Sequence, residues 1–403
     1  MAARRAKLKV MARTFLILLA AAGFLPAEEP AASAKDRIRW IRNSPRQGAA
    51  SIPALDNYLR NDPDGQVRSE AVKALIEIGG PPTLDALVLA CADKDSEVQA
   101  RATDGLVNLY VPGYYKSGFA ASLKRAGAGI KGRFSDDNGL VIDPGVKVDP
   151  KAQEAVAHLV KNGTWPEVRA NAARAAGILR ARPAAQNLGA ALSARDTQLI
   201  LESLTAIEKI GDPSVAPLAN PLINDLNEKV QITAIGVAAV LRERSAAGPL
   251  RRAMENTRSA KVRATALEAI AMIPDESNRA LFDAHFADKD GDLRAGAAEG
   301  LGRLGNKQDL ARLQQAFDTE TQMRPRLAQA FALVRLGKID LNETSPLQYL
   351  VNTLNSSAYN GIAQPFLIEL ARDKAVRGAL EPGMEQRTAR EKTALAEVFA
   401  RNR

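Results

Sequence analysis

The stretch that decides the fold is DGQVRSEAVKALIEIG, residues Asp64 to Gly79. Val67, Ala71, Ala74, Leu75 and Ile78 recur at 0, +4, +7, +8 and +11, which is one face of a helix with 3.6 residues per turn. The pattern returns as DSEVQARATDGLVNLY from Asp95, WPEVRANAARAAGILR from Trp165, DTQLILESLTAIEKIG from Asp196 and NEKVQITAIGVAAVLR from Asn227. Three more copies follow: SAKVRATALEAIAMIP from Ser259, DGDLRAGAAEGLGRLG from Asp290 and ETQMRPRLAQAFALVR from Glu320. Eight copies align without gaps, with anchors at Val67, Val98, Val168, Leu199, Val230, Val262, Leu293 and Met323. The steps between anchors are 31, 70, 31, 31, 32, 31 and 30, so the period breaks once, between Val98 and Val168.

Four residues past each anchor stands Ala71, Ala102, Ala172, Ser203, Ala234, Ala266, Ala297 or Leu327. Small side chains recurring there let helices approach closely. Between copies lies a shorter apolar helix, such as PPTLDALVLACA or SVAPLANPLIND, and an Asp, Asn or Ser before the longer helix offers an N-cap. A helix pair of this kind cannot bury its apolar face alone, and stacked neighbours complete the core. The expected fold is all-α: a right-handed α-solenoid of about eight to nine helix-pair repeats, with one loop or β-hairpin insertion between repeats 2 and 3.

The D-x-x-V-R-x-x-A-x-x-A-L-x-x-I-G pattern, nearly complete in Asp64 to Gly79 and clear in Asp290 to Gly305, resembles the HEAT-repeat family. The resemblance is strongest to the short-repeat branch related to the phycobilisome-lyase HEAT-like proteins and covers roughly residues 50–337 apart from the interruption. It implies the solenoid. For function it implies a range, since that family includes cofactor lyases, assembly factors and binding scaffolds.

The chain divides on this reading into residues 1–34, 35–110 (N-terminal cap and repeats 1–2), 111–150 (insertion), 151–340 (repeats 3–8) and 341–403 (degenerate repeat and capping helix). Residues 1–34 read as a cleaved signal peptide. Arg4, Arg5, Lys7, Lys9 and Arg13 precede the apolar run Thr14 to Leu25, and Ala32-Ser33-Ala34 offers a peptidase site. A cut after Ala27 is the alternative, and Arg4-Arg5 is a partial twin-arginine pattern. The apolar run is shorter than the ~20 residues a bilayer span needs. The expected location is periplasmic or secreted, with no stable membrane span in the mature form.

Of 403 residues, 369 then remain, and net charge falls from +9 to +6 (50 Lys+Arg against 44 Asp+Glu). That balance permits a polyanionic partner without implying one. The single cysteine, Cys91, forms no internal disulfide, and within LDALVLACAD it reads as a buried small hydrophobe.

The insertion and its entry gather five of the chain's 18 aromatics, Tyr110, Tyr114, Tyr115, Phe119 and Phe134, in one short stretch. Lys116, Lys124, Arg125, Lys131 and Arg133 are interleaved with them. Aromatic planes beside cations suit stacking on a partner, and they equally suit packing of the loop onto the solenoid. Tyr114, Tyr115, Phe119, Lys124, Arg125, Lys131 and Arg133 are the partner-binding candidates here. Gly127, Gly129 and Gly132 spell G-x-G-x-x-G, but a dinucleotide turn needs a strand before it and a helix after. FAASLKRA reads as helix, and IKGRF-SDDNG-LVID reads as two strands about an Asn-Gly turn, so the order is reversed.

No zinc spacing, H-E-x-x-H, nucleophile elbow or Walker loop appears. His158 and His285 fall in units four repeats apart. Asp288, Asp290, Asp292 and Glu299 imitate part of a calcium loop, but Leu293 holds the place of its glycine, which favours helix capping. Positions 2, 6 and 9 of the longer helices face away from the buried stripe. In the middle copies these are Leu201, Thr205 and Glu208, then Ile232, Gly236 and Ala239, and Leu201 and Ile232 are the second pair of partner-binding candidates. The expected function is an exported, non-enzymatic scaffold that binds a protein partner, with no cofactor or metal. The alternatives are a cofactor lyase-like or chaperone-like assembly factor, as the resemblance implies, and binding of an anionic polymer through the basic insertion. Nucleic acid is not the expected partner.

Overall fold

The computed structural model describes residues 33–114, 140–143 and 145–402. Most of the proposed signal peptide lies outside them, as do the glycine pattern, the first strand and turn of the expected hairpin, and Tyr115, Phe119, Lys124, Arg125, Lys131 and Arg133, while residues 140–143, expected as its second strand, are described and form no strand. Twenty α-helices and no strand occur among the described residues. They fall into two compact units, Met1–Ala184 and Ala185–Arg403.

The first unit holds α1 (Ala34–Asn43), α2 (Ile52–Asn61), α3 (Gly65–Ile78), α4 (Leu84–Cys91), α5 (Ser96–Tyr110), α6 (Pro150–Asn162) and α7 (Pro166–Ile178). The second begins with α8 (Ala185–Ala191), α9 (Thr197–Ile210), α10 (Glu228–Val240), α11 (Ala247–Asn256), α12 (Ala260–Met272) and α13 (Arg279–His285). It continues through α14 (Gly291–Leu304), α15 (Leu310–Thr319), α16 (Met323–Arg335), α17 (Pro346–Thr353), α18 (Asn360–Leu370), α19 (Lys374–Leu380) and α20 (Ala389–Ala400). The longer helices stack on one another, α3 on α5 on α7, and α9 through α10, α12 and α14 to α16. The shorter helices pack along their other side, which is the helix-pair solenoid within each unit.

The repeat pattern is read out directly in burial. The eight residues four past the anchors are all fully buried, from Ala71 to Leu327. In six copies the leading Asp, Asn or Ser side chain accepts a backbone N–H of the first helical turn, as Asp64 does from Gln66 and Asp196 from Leu199. Trp165 holds that place without a side-chain cap, and in the last copy the helix starts two residues later, after an equally uncapped Gln322. Ser203 puts a hydroxyl where six copies have alanine, and its Oγ has no hydrogen-bond partner among the described residues. Ser203→Ala is expected to stabilise the second unit by ~0.5–1.5 kcal/mol, since it removes an unsatisfied buried oxygen and adds helix propensity. A denaturation midpoint that fell instead would show that the hydroxyl is bonded.

The arginine of the V-R pair joins one copy to the next. Arg68 Nη1 donates to the carbonyls of Asp62 and Pro63 (2.9 and 3.2 Å), while Nε and Nη2 grip the Asp93 carboxylate of the following loop (2.7 and 2.8 Å). Arg294 repeats this with the carbonyl of Asp288 (2.8 Å) and the Glu320 carboxylate (2.8 and 3.0 Å). Gln99 makes the neutral version, donating to the Asp93 carbonyl (2.6 Å). Such forked, charge-assisted bonds fix the distance between copies as well as stabilising it.

The same clamp shows that α1 is more than a cap. Arg37 stands one repeat period before Arg68 and grips Asp62 (2.7 and 3.2 Å) as Arg68 grips Asp93. The helix is the second half of a further repeat in register, with Asp36 at the anchor position where an apolar residue was the signal. Ser33 caps it by accepting from the Asp36 N–H (3.2 Å). A peptidase cut after Ala27 leaves that cap in place, whereas one after Ala34 removes it.

One expected α-helix differs. SVAPLANPLIND belongs to a 3₁₀ stretch, Pro213–Asn224, because Pro217 and Pro221 lack the N–H that an α ladder requires. At the C-terminus the polar residues near α17 tie down α20. Asn355 donates to Glu391 Oε1 (2.8 Å) and accepts from Thr388 Oγ1 (2.6 Å), and Thr388 and Glu391 form the capping box of α20. Gln364 likewise donates to Glu397 (2.7 Å). These amides serve the end of the array.

Candidate functional site

The two ends of the insertion meet on a stack that closes behind them. α5 packs on α7 although the whole insertion and α6 lie between them in the chain. Across this seam Gln99 Oε1 accepts from the N–H and Oγ1 of Thr164 (3.1 and 3.0 Å), and Asn171 Nδ2 donates to Asp104 Oδ1 (3.0 Å) and the Ala100 carbonyl (3.3 Å). Gln99 stands at the repeat position of Arg68 and, like it, reaches the loop ahead of the next copy. Asp149 N–H donates to Tyr110 Oη (3.1 Å), drawing the entry and exit of the insertion together. On the exit side, Ile142 is buried and donates its N–H to the Ile178 carbonyl (3.0 Å). Tyr114 is half-buried, its N–H bonded to the Val111 carbonyl (3.1 Å).

On the second unit, α9 and α10 bring Leu201 and Ile232 to adjacent places, together with Thr205, Glu208, Gly236 and Ala239. The sequence leads one to expect exposed branched side chains there; both are half-buried, because a stacked helix is covered by neighbours on two sides. Val240, next along α10, is 51% exposed.

Farther along, the outward positions of the longer helices turn from apolar to charged. Arg303 of α14 donates to Glu299 (2.8 Å) and to Glu369 of α18 (3.1 and 3.2 Å), with its guanidinium 4.7 Å from the centre of the Phe331 ring. Arg242, just past α10, also reaches Glu369 (3.4 Å). Arg324 of α16 pairs with Glu268 of α12 and lies 3.4 Å from Asp292. Burial pushes the Glu268 carboxyl up to about 7, and the charge of Glu299 adds to it against the pull of Arg324. Burial also raises Glu299, whereas in Glu369 burial is outweighed by Arg303 and Arg242, which hold it below the usual carboxylate range. Sequence reasoning missed this network, although one signal of it was present: Glu268 and Glu299 stand at the same repeat position in consecutive copies.

In the first unit a recess of ≈ 420 Å³ opens over the longer helices. Arg42 pairs there with Glu70 (2.9 Å) and Arg101 with Glu97 (2.8 Å), and Asp95 caps its helix. Cys91 is buried and its thiol is pushed up to about 12 by that burial, which makes it a packing residue. His158 lies beside Asn162 (3.2 Å) and His285 beside Asp288 (3.0 Å), each within its own unit. Asp288 accepts from the Asp290 N–H and Asp290 from the Asp292 N–H (both 2.9 Å), so these acids shape the helix start. Among the described residues no group of three or more His, Cys, Asp or Glu is set to hold a metal. No helix among them is long and apolar enough to cross a membrane.

The family model described as HEAT repeats matches residues 30–108 and 249–334, one region in each unit. These two regions are HEAT repeats. None of the curated proteins matches it significantly. Among solved structures, E. coli YibA is similar at 14% identity, covering 77% of this chain and 99% of that one with a TM-score of 0.43. The CpcE–CpcF complex of phycocyanin lyase from Nostoc is similar at 15% identity over 67% of this chain and 94% of that one, with a TM-score of 0.36. Importin beta matches at 14% identity over 98% of this chain and 59% of its own, with a TM-score of 0.39. The matched HEAT regions take in α1, which agrees with its clamp, and stop short of the C-terminal helices that the amides tie down.

Proposed function

We propose that this chain is an exported HEAT-repeat scaffold that holds a protein partner with the insertion at residues 111–150. The observation that carries the reading is the seam between α5 and α7, where the two helices pack directly and Gln99 bonds to Thr164 and Asn171 to Asp104 across it. The helix stack closes across this seam, with Ile142 and Asp149 of the insertion bonded to it, and the aromatic and basic composition of the intervening residues is read as serving recognition. Tyr114, Tyr115, Phe119, Lys124, Arg125, Lys131 and Arg133 are the side chains proposed to do so. Repeats of this kind bind along exposed helical surfaces and seldom carry catalysis, and a binding role agrees with a sequence that sets out no nucleophile–base pair.

The test is a crosslinked pull-down from the native envelope with the mature protein and with a variant in which residues 112–149 are replaced by a short Gly-Ser linker. The bond between Tyr110 and Asp149 means that a few residues span the gap. Circular dichroism of the variant is expected to retain the helical signal of the array. Specific partners are expected to disappear with the insertion, and a variant that captured them undiminished would defeat the assignment.

A further inference from the structure

The carboxylates on the outward positions of the second unit have cations, with one exception among the described residues. Glu268 has Arg324, Glu299 has Arg303, and Glu369 has both Arg303 and Arg242. Glu208 of α9 is half-buried, yet among the described residues no group donates to it, and only the neighbouring Lys209 acts on it through space. Its Oε2 lies 3.8 Å from where a Cβ on Gly236 would stand, so the absent side chain on α10 leaves the carboxylate an open flank. Leu201, Ile232 and the half-exposed Val240 provide apolar surface on the same two helices.

We infer that the trough between α9 and α10 takes a protein segment that presents a lysine or arginine between apolar residues, the cation meeting Glu208. An anion stripped of part of its water and given no partner is costly, and a cation entering from outside supplies what Arg303 and Arg324 supply elsewhere on this unit. Burial pushes the Glu208 carboxyl up, as expected of such a site. An acidic segment would add a second uncompensated charge, and a purely apolar one would leave the first uncompensated. The inference rests on the scaffold reading but concerns a surface separate from the insertion.

The probe is a displayed library of short random peptides, panned on the mature protein with its insertion intact. Binders are then measured by fluorescence polarisation against Glu208→Gln, Leu201→Ala and Gly236→Leu. The last variant fills the trough: a Cβ there meets nothing closer than 3.8 Å, so the helix accommodates it. Enriched peptides are expected to carry Lys or Arg flanked by apolar residues, to lose affinity about tenfold or more with Glu208→Gln, and to be excluded by Gly236→Leu. Peptides excluded by Gly236→Leu but lacking a basic residue and indifferent to Glu208→Gln would overturn the partner chemistry and leave a docking surface. If Gly236→Leu and Leu201→Ala displace no peptide, the trough is no docking surface at all, and the scaffold reading then stands or falls on the insertion experiment alone.

Discussion

Gly302→Ala is expected to destabilise the second unit by ~1–3 kcal/mol, although alanine is the better helix former by ~1 kcal/mol. The reason is the approach of α14 to α16. A Cβ on Gly302 would stand 2.6 Å from Ala332 Cα and 2.8 Å from its Cβ, against backbone that cannot swing aside. Gly300 is similarly filled, by the Phe282 ring at 2.4 Å. Gly378 in α19 provides the control, since nothing lies within 4 Å of the added carbon, and there the same substitution should gain up to ~1 kcal/mol. Urea midpoints of the two variants should move in opposite directions. A Gly302→Ala protein as stable as its parent would mean that the two helices sit farther apart than described here.

Arg68→Ala carries the largest expected cost, ~3–5 kcal/mol. Arg68 and Asp93 have side chains only 5% and 7% exposed, and the guanidinium also serves the carbonyls of Asp62 and Pro63. Truncation strands a buried carboxylate and two carbonyls together. Repeat arrays do not unfold as a single step, so hydrogen exchange is the suitable measurement. Amides of α3, α4 and α5 should lose protection while those of the second unit keep theirs. Replacing both partners, as Arg68→Met with Asp93→Leu, should recover most of the loss, because the penalty lies in the unpaired charge. Uniform protection in the single variant would reduce the clamp to a surface ion pair.

How much of this was legible in the sequence depended on whether the deciding force acts within one repeat or between several. The Ala71 to Leu327 column and the capping Asp64, Asp196 and Asp290 obey local rules that recur copy after copy, so repetition amplified them into a fold. The half-repeat at α1 was hidden because Asp36 stands at the anchor and the helix is recognised by what Arg37 grips. The 3₁₀ stretch was visible in principle, since Pro217 and Pro221 are spaced to break an α ladder, but its apolar content outweighed them. The exposure of Leu201 and Ile232 was overestimated because helical periodicity describes one helix and says nothing of neighbours on either flank. The network of Arg242, Glu299, Arg303 and Glu369 joins helices far apart in the chain and depends on how copies stack, which no single copy encodes.

The clamp from each arginine to the next loop has a mechanical side. In the first unit Arg37 and Arg68 each tie a copy to its successor, so load applied along that unit is carried by links in series, whereas Arg324–Glu268 and Arg242–Glu369 brace the second unit across copies. Links in series yield one at a time. Each yielding copy frees one repeat length of chain, an extension of roughly 10 nm, while the copies beyond it remain folded. A unit held in this way is expected to lengthen under load in discrete increments.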